Sequence, residues 1–107
     1  MSKIPYNIDD IRQALHEGRI FWREHVLERM LERDISKNDI KNCIENGKII
    51  EEYVDDFPFP SCLVFGYTIN NRPIHVVCSI NGGIVYIITA YEPELFKWHN
   101  DFETRRN

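Results

Sequence analysis

The chain has 107 residues, a net charge of −4 and a hydrophobic fraction of 43%. These values are typical of one globular domain, spanning residues 1–107, with a single core. The acidic balance argues against nucleic-acid binding by bulk electrostatics, because such domains usually carry a basic face and a high pI. The overall negative charge is still compatible with a small basic pocket on the protein.

No apolar run approaches the roughly 20 residues of a membrane span, and the N-terminus lacks the apolar core of a signal peptide. Cys43, Cys62 and Cys78 are odd in number and have no C-x-x-C spacing. We therefore expect no disulfide framework, no structural zinc and a cytoplasmic location. The four histidines are scattered, so no metal site and no cofactor are expected.

Apolar residues with a helical period fill the first 47 residues and predict three helices. The first begins after an Asn7 cap and ends near Gly18. The second covers roughly residues 22–33. The third begins at Ser36, where Asp39 completes a capping box in place of the usual Glu, and ends at Gly47.

From Lys48 the period changes to two, which predicts four strands. Their expected ranges are residues 48–54, 61–69, 73–80 and 84–91. Short connections at residues 70–71 and 81–83 predict an antiparallel meander of the last three strands. Pro93 predicts the start of a short C-terminal helix, on which Trp98 and Phe102 would dock the chain end.

The expected fold class is therefore α+β. Three N-terminal helices would pack on one face of a mainly antiparallel sheet of about four strands, followed by a short C-terminal helix.

Three residues able to carry positive charge recur every four positions in the second predicted helix: His25, Arg29 and Arg33. At 3.6 residues per turn they form one line on the helix, the basic ridge. Its outer side carries three glutamates, Glu24, Glu28 and Glu32. Aligning like charges at this spacing costs a few tenths of a kcal/mol per pair, so a carboxylate or phosphate outside the helix is expected to compensate. Alternatively, the ridge only borders the core, with alkyl stems packed inward and charged heads in water.

Three further positions carry side chains that suit chemistry. Alternation along the third predicted strand places His75 on a partly apolar face. It is there either a neutral core residue or a general acid or base. Tyr91 ends a strand at the rim of the sheet, as a functional or a packing residue. Arg105 and Arg106 stand near the C-terminus, solvated or brought into a pocket by a docked tail.

This set of side chains suits RNA cleavage without a metal ion. That reaction needs a base for the ribose 2′-OH, an acid for the leaving oxygen and cations for the charged phosphorane. Arginine fits the last role because its planar fork matches phosphate oxygens. We expect His25 or His75 to act as the base and the other, or Tyr91, as the acid.

The sequence also resembles a small bacterial and archaeal family of unknown function. The resemblance lies in these blocks: His25-x-x-x-Arg29-Met30-x-Glu32-Arg33-x-Ile35-Ser36, Gly47-x-Ile49-Ile50-Glu51-x-Tyr53, Pro60-Ser61-Cys62-Leu63-Val64-Phe65-Gly66, His75-Val76-Val77, and Ile88-Thr89-Ala90-Tyr91-x-Pro93 with Trp98 and the terminal Arg pair. That family resembles RelE-like and BrnT-like ribonuclease toxins. Its members also look like gene neighbours of small YgiT-type zinc-finger proteins that act as antitoxins.

The resemblance implies a RelE/BrnT-like α+β fold, cleavage of RNA, free or on the ribosome, and a small zinc-finger antitoxin as partner. The catalytic residues carried over are His25, Arg29, His75 and Tyr91, and the substrate-binding residues are Arg33, Arg105 and Arg106. Arg29 would be the main stabiliser of the phosphorane. The alternative function is a non-catalytic module that docks an acidic protein through the basic ridge.

Overall fold

Three helices and a five-stranded sheet form the fold in the computed structural model, which describes residues 2–107. The helices are α1 (Ile8–His16), α2 (Glu24–Glu32) and α3 (Lys37–Asn46). The strands are β1 (Ile20–Trp22), β2 (Lys48–Tyr53), β3 (Ser61–Tyr67), β4 (Pro73–Asn81) and β5 (Ile84–Tyr91). The sheet order is β1-β5-β4-β3-β2, antiparallel except for the parallel pair β1–β5. The α+β class and the antiparallel meander of β3, β4 and β5 are thus confirmed.

The strand β1 corrects the predicted four-strand sheet and the predicted start of the second helix. Trp22 ends β1, and α2 begins two residues later at Glu24. Three residues are too few to show an alternating pattern, so sequence periodicity does not reveal this strand. The backbone N–H of Val85 donates to the carbonyl of Arg19 at 2.9 Å, which begins the pairing along the open edge of β5.

The tail, residues 92–107, contains no α-helix, which corrects the predicted C-terminal helix. It crosses the sheet in turns instead. The Asp101 carboxylate accepts hydrogen bonds from the backbone N–H groups of Glu103 and Thr104, at 2.9 and 3.0 Å. Such local bonds compete with helix formation, and Phe102 has a φ of 59°. Trp98 still docks the tail, because only 2% of its surface is exposed.

The helices cover one face of the sheet, where the core lies. The core joins helix residues such as Ile11, Val26 and Ile40 to strand residues such as Val64 and Val76. The helix α3 packs directly on β3, and Gly66 permits this approach. A Cβ at Gly66 would lie 2.6 Å from the carbonyl oxygen of Cys43.

Local signals in the helical half behave as predicted. Ser36 and Asp39 form a reciprocal capping box at the start of α3, and Asn7 with Asp10 forms another at α1. Within residues 2–107, no helix combines the length and the apolar character that crossing a membrane requires.

Candidate functional site

The face of the sheet opposite the helices carries His75 and Tyr91, with the tail packed over it. Register between β4 and β5 places His75 directly across from Tyr91, and their ring centroids lie 5.4 Å apart. The Trp98 ring of the tail meets the imidazole edge-on, at 4.5 Å between centroids. The two side chains therefore meet on a face of the sheet that the tail shields from water.

His75 is fully buried and has a hydrogen-bond partner at each ring nitrogen. Its Nε2 lies 2.7 Å from the carbonyl oxygen of Phe102, which can only accept, so Nε2 carries the proton and donates. Nδ1 then accepts from the Tyr91 hydroxyl, 3.4 Å away. Burial lowers the pKa of His75, against the opposing effect of the Phe102 carbonyl, and favours the neutral ring with Nδ1 free to accept.

The Tyr91 hydroxyl is correspondingly held in its protonated form. Burial raises the pKa of Tyr91, while the nearby Arg105 acts in the opposite direction. A protonated hydroxyl therefore faces an unprotonated imidazole nitrogen, which is the arrangement needed to pass a proton inward.

Arg105 reaches this region from the tail and is fixed there by three groups. Its Nε and Nη2 donate to the two carboxylate oxygens of Glu51 at 2.8 and 3.2 Å. Its guanidinium lies over the Trp98 ring, 4.5 Å from the centroid. The Tyr53 hydroxyl also donates to Glu51, at 2.6 Å. The hydrogen bonds to Glu51 raise the pKa of Arg105 and hold its plane in one orientation.

Arg33 reaches the same region from the end of α2. Its Nη1 donates to the carbonyl oxygen of Ala90, the residue before Tyr91, at 2.8 Å. Within residues 2–107 no carboxylate forms an ion pair with Arg33. The same Nη1 also donates to the Thr89 hydroxyl at 3.4 Å, so neutral oxygens alone accept from Arg33 and its positive charge remains available to an anion.

These groups border an open cavity of about 580 Å³, the Tyr91 cavity. Its lining residues are Arg33, Tyr91, Glu92, Glu94, Lys97, Trp98 and Arg105. The two carboxylates each lie near a cation, Glu94 at 3.8 Å from Lys97 and Glu92 at 3.5 Å from Arg72. Tyr91 and the two arginines, Arg33 and Arg105, thus line one cavity.

The structure brings together four of the predicted site residues and leaves three elsewhere. His75, Tyr91, Arg33 and Arg105 converge as described. His25 and Arg29 are exposed on α2 and do not line the Tyr91 cavity, so the predicted cleft shared with His75 or Tyr91 is not formed around them. Arg29 pairs instead with Glu32 at 3.1 Å. The drift of about 40° per four residues turns Arg33 toward the sheet, close to the direction of the buried Val26.

Arg106 fastens the tail rather than facing the cavity. Its Nε donates to the carbonyl oxygens of Leu95 and Trp98, the latter at 3.0 Å. The terminal Arg pair therefore divides, with Arg105 on the cavity wall and Arg106 in the tail's own hydrogen bonds.

Sequence reasoning missed Glu51, Lys97 and the Phe102 carbonyl. Glu51 and Tyr53 alternate onto one strand face, and this period of two was the available signal for a carboxylate beside His75. No local pattern marked Lys97 or the carbonyl, because the tail's path sets their positions. Among residues 2–107, no three His, Cys, Asp or Glu side chains are grouped to hold a metal ion.

A family model described as DUF4258, a domain of unknown function, matches residues 22–92. The match includes Arg33, Glu51, His75 and Tyr91, and it ends before the tail that supplies Trp98 and Arg105. No curated protein and no solved structure matches the chain.

Proposed function

We propose that this chain, which belongs to the DUF4258 family, is a ribonuclease that cleaves RNA in the Tyr91 cavity by its own side chains. One observation carries the proposal. The Tyr91 hydroxyl is hydrogen-bonded to a buried, neutral His75 and borders the same cavity as the guanidinium groups of Arg33 and Arg105. This arrangement supports a role for Tyr91 and His75 in proton transfer and for the two arginines in phosphate binding.

The reaction we propose is a transfer of the phosphodiester within the RNA. A phosphate lies between Arg33 and Arg105, and the adjacent ribose 2′-OH attacks phosphorus. Tyr91 takes the 2′-OH proton as its own proton passes to Nδ1 of His75. The 2′-oxygen–phosphorus bond forms, the bond from phosphorus to the 5′-oxygen breaks, and the Lys97 ammonium protonates the departing 5′-oxygen. The products are a 2′,3′-cyclic phosphate and a 5′-hydroxyl.

The electrostatics of the site support this order of proton transfers. Burial keeps the proton on Tyr91 and off His75 at rest, so the relay starts in the correct state. Burial lowers the pKa of His75 overall, whereas the Phe102 carbonyl and the Glu51 carboxylate act in the opposite direction and would stabilise the ring when it takes up the second proton. Preorganised arginines then meet the charge that develops on the phosphorane.

The resemblance of the sequence to RelE-like and BrnT-like toxins extends the proposal to a biological role. We propose a toxin with a RelE/BrnT-like fold that cuts RNA, free or on the ribosome. A small zinc-finger antitoxin would restrain it by covering the open side of the Tyr91 cavity. This part of the proposal rests on the sequence blocks named above.

The test compares the unaltered protein with Tyr91→Phe, in EDTA, on a labelled single-stranded RNA. We expect the unaltered protein to release 2′,3′-cyclic phosphate ends and Tyr91→Phe to be about 10²–10⁴-fold slower, since it removes the proton relay. Tyr67→Phe is the matched control, because Tyr67 is exposed at the end of β3 and does not line the cavity. It should cleave at the unaltered rate. Equal rates for all three proteins, or loss of cleavage in EDTA, would overturn the proposal.

A second candidate function is a non-catalytic module that docks an acidic protein through the basic ridge. It is favoured by the exposure of His25 and Arg29 beside Leu31, which is 85% exposed. If the purified protein cleaves no RNA and its expression leaves growth unchanged, this function replaces the first.

A further inference from the structure

An exposed aromatic ring, Phe96, lies in the tail next to Lys97, which lines the Tyr91 cavity. In the tail, Glu94, Lys97 and Trp98 line the cavity, whereas Phe96 between them is 70% exposed. The Lys97 ammonium lies 5.6 Å from the centroid of the Phe96 ring. One cation therefore touches both the cavity and the ring, which places the ring beside any anion bound there.

Phe96 makes little contribution to packing. Among residues 2–107, no other aromatic ring packs against it, whereas Trp98 two residues later is buried against His75. An aromatic face open to solvent beside a cationic cavity matches the needs of a nucleotide, whose base stacks while its phosphate meets the cations. Stacking also supplies affinity that the overall charge of −4 cannot supply to an RNA ligand.

We propose that Phe96 is a stacking platform for an unpaired base next to the phosphate held in the Tyr91 cavity. The substrate is therefore single-stranded RNA, because a base within a duplex has both faces already stacked on its neighbours. This inference rests on the proposed function and adds the strand preference and the residue that sets it.

Binding of a fluorescent oligonucleotide of ten 2′-O-methyl uridines tests the inference. The methyl group blocks the 2′-oxygen, so binding is measured without cleavage. We expect Phe96→Ala and Phe96→Leu to bind about 5- to 100-fold more weakly, the range for loss of one base–aromatic stack. Phe96→Trp should bind at least as tightly as the unaltered protein. Phe57→Ala is the matched control, since Phe57 is 90% exposed on another loop and does not line this cavity, and it should bind normally.

A second oligonucleotide isolates the contribution of the base. It keeps the ten phosphates and the 2′-O-methyl riboses but carries abasic sites throughout. The unaltered protein and Phe96→Ala should bind it equally, and the unaltered protein should lose its preference for the single strand over a ten-base-pair duplex. Equal binding of the uridine strand by Phe96→Ala and the unaltered protein overturns the platform.

The cleavage assay keeps the two proposals separate. If Tyr91→Phe abolishes cleavage while Phe96→Ala binds normally, the platform is wrong and the ribonuclease proposal stands. If binding depends on Phe96 but no protein cleaves RNA, the platform is supported as a single-strand RNA contact and the ribonuclease proposal is wrong.

Discussion

His75 is the residue on which the candidate site depends most directly. It lies fully buried, with its Nε2 proton directed to a carbonyl and its Nδ1 lone pair directed to the Tyr91 hydroxyl. If the two partners were exchanged, Nδ1 would carry the proton and donate it to the carbonyl. It could then accept no proton from Tyr91. The carbonyl of Phe102, and thus the path of the tail, fixes the chemistry available to Tyr91.

The buried imidazole makes the stability of the protein depend on pH. The pKa of His75 is lowered from its ordinary value of 6.5, so near and below that pH the unfolded chain binds a proton more readily than the folded one. The free energy of unfolding should therefore fall as the pH decreases from 7.5 to 5.5. His75→Gln, which can still donate to Phe102, should remove that part of the decrease in urea titrations. His99→Gln, at an exposed histidine, should retain it, and an unchanged pH profile in His75→Gln would contradict the assignment.

Arg33 and Arg29 offer a second test at the level of single residues. Both belong to the basic ridge, but only Arg33 lines the Tyr91 cavity. We expect Arg33→Ala to lower the rate of RNA cleavage by about 10²–10³, the loss typical of one preorganised charge-stabilising donor. Arg29→Ala should cleave at the unaltered rate, because Arg29 pairs with Glu32 at the surface. The opposite pattern would place the active site on the exposed part of the ridge.

At the level of elements, the tail forms a third layer, on the face of the sheet opposite the helices. It covers His75 with Trp98, supplies the carbonyl at Phe102 and carries Arg105 to Glu51 on β2. A further ion pair joins Glu103 of the tail to Lys48 of β2 at 2.7 Å. The tail is therefore held across the sheet from the central strand β4 to the edge strand β2, although it contains no helix.

Trp98 should supply most of the energy that docks the tail. It is 2% exposed, so Trp98→Ala leaves a cavity beside His75 and should lower the free energy of unfolding by about 3–5 kcal/mol. Phe96→Ala, in the same segment but exposed, should change it by no more than about 0.5 kcal/mol. Urea denaturation of the two variants measures both effects. Similar losses for the two would show that the tail packs differently.

At the level of the whole molecule, the chain is acidic, and the Tyr91 cavity holds a few cationic side chains beside the carboxylates Glu92 and Glu94. Only Arg33, Lys97 and Arg105 among the lining residues carry positive charge, and the chain as a whole is at −4. RNA should therefore approach without long-range attraction and bind through a few local contacts.

The salt dependence of RNA binding measures this directly. Two or three phosphate contacts to a single strand predict a slope of about −1.4 to −2.1 for the logarithm of the binding constant against the logarithm of salt concentration. The non-cleavable uridine oligonucleotide provides the titration. A slope steeper than about −4 would indicate a broad basic surface and contradict binding confined to the Tyr91 cavity.

The sequence by itself determined the three helices and the four strands β2 to β5, apart from their exact ends. Periods of 3.6 and two separated the helices from the strands, capping residues marked the start of α1 and α3, and the hairpin connections set the antiparallel meander. Alternation also separated His75 from Ile74 and Val76 onto the other face of its strand. These features depend on neighbouring residues, so a single sequence carries them.

Only the tertiary structure decided how the site is assembled. Arg105 and Glu51 are 54 positions apart, and Arg33 meets Ala90 across 57. The parallel pairing of β1 likewise depends on which edge of the sheet is left open. The path of the tail depends on which face of the sheet the helices leave uncovered. No local pattern records such long-range contacts. For that reason the catalytic residues predicted on the basic ridge are His25 and Arg29, whereas the packing of α2 against the sheet brings Arg33 to the cavity.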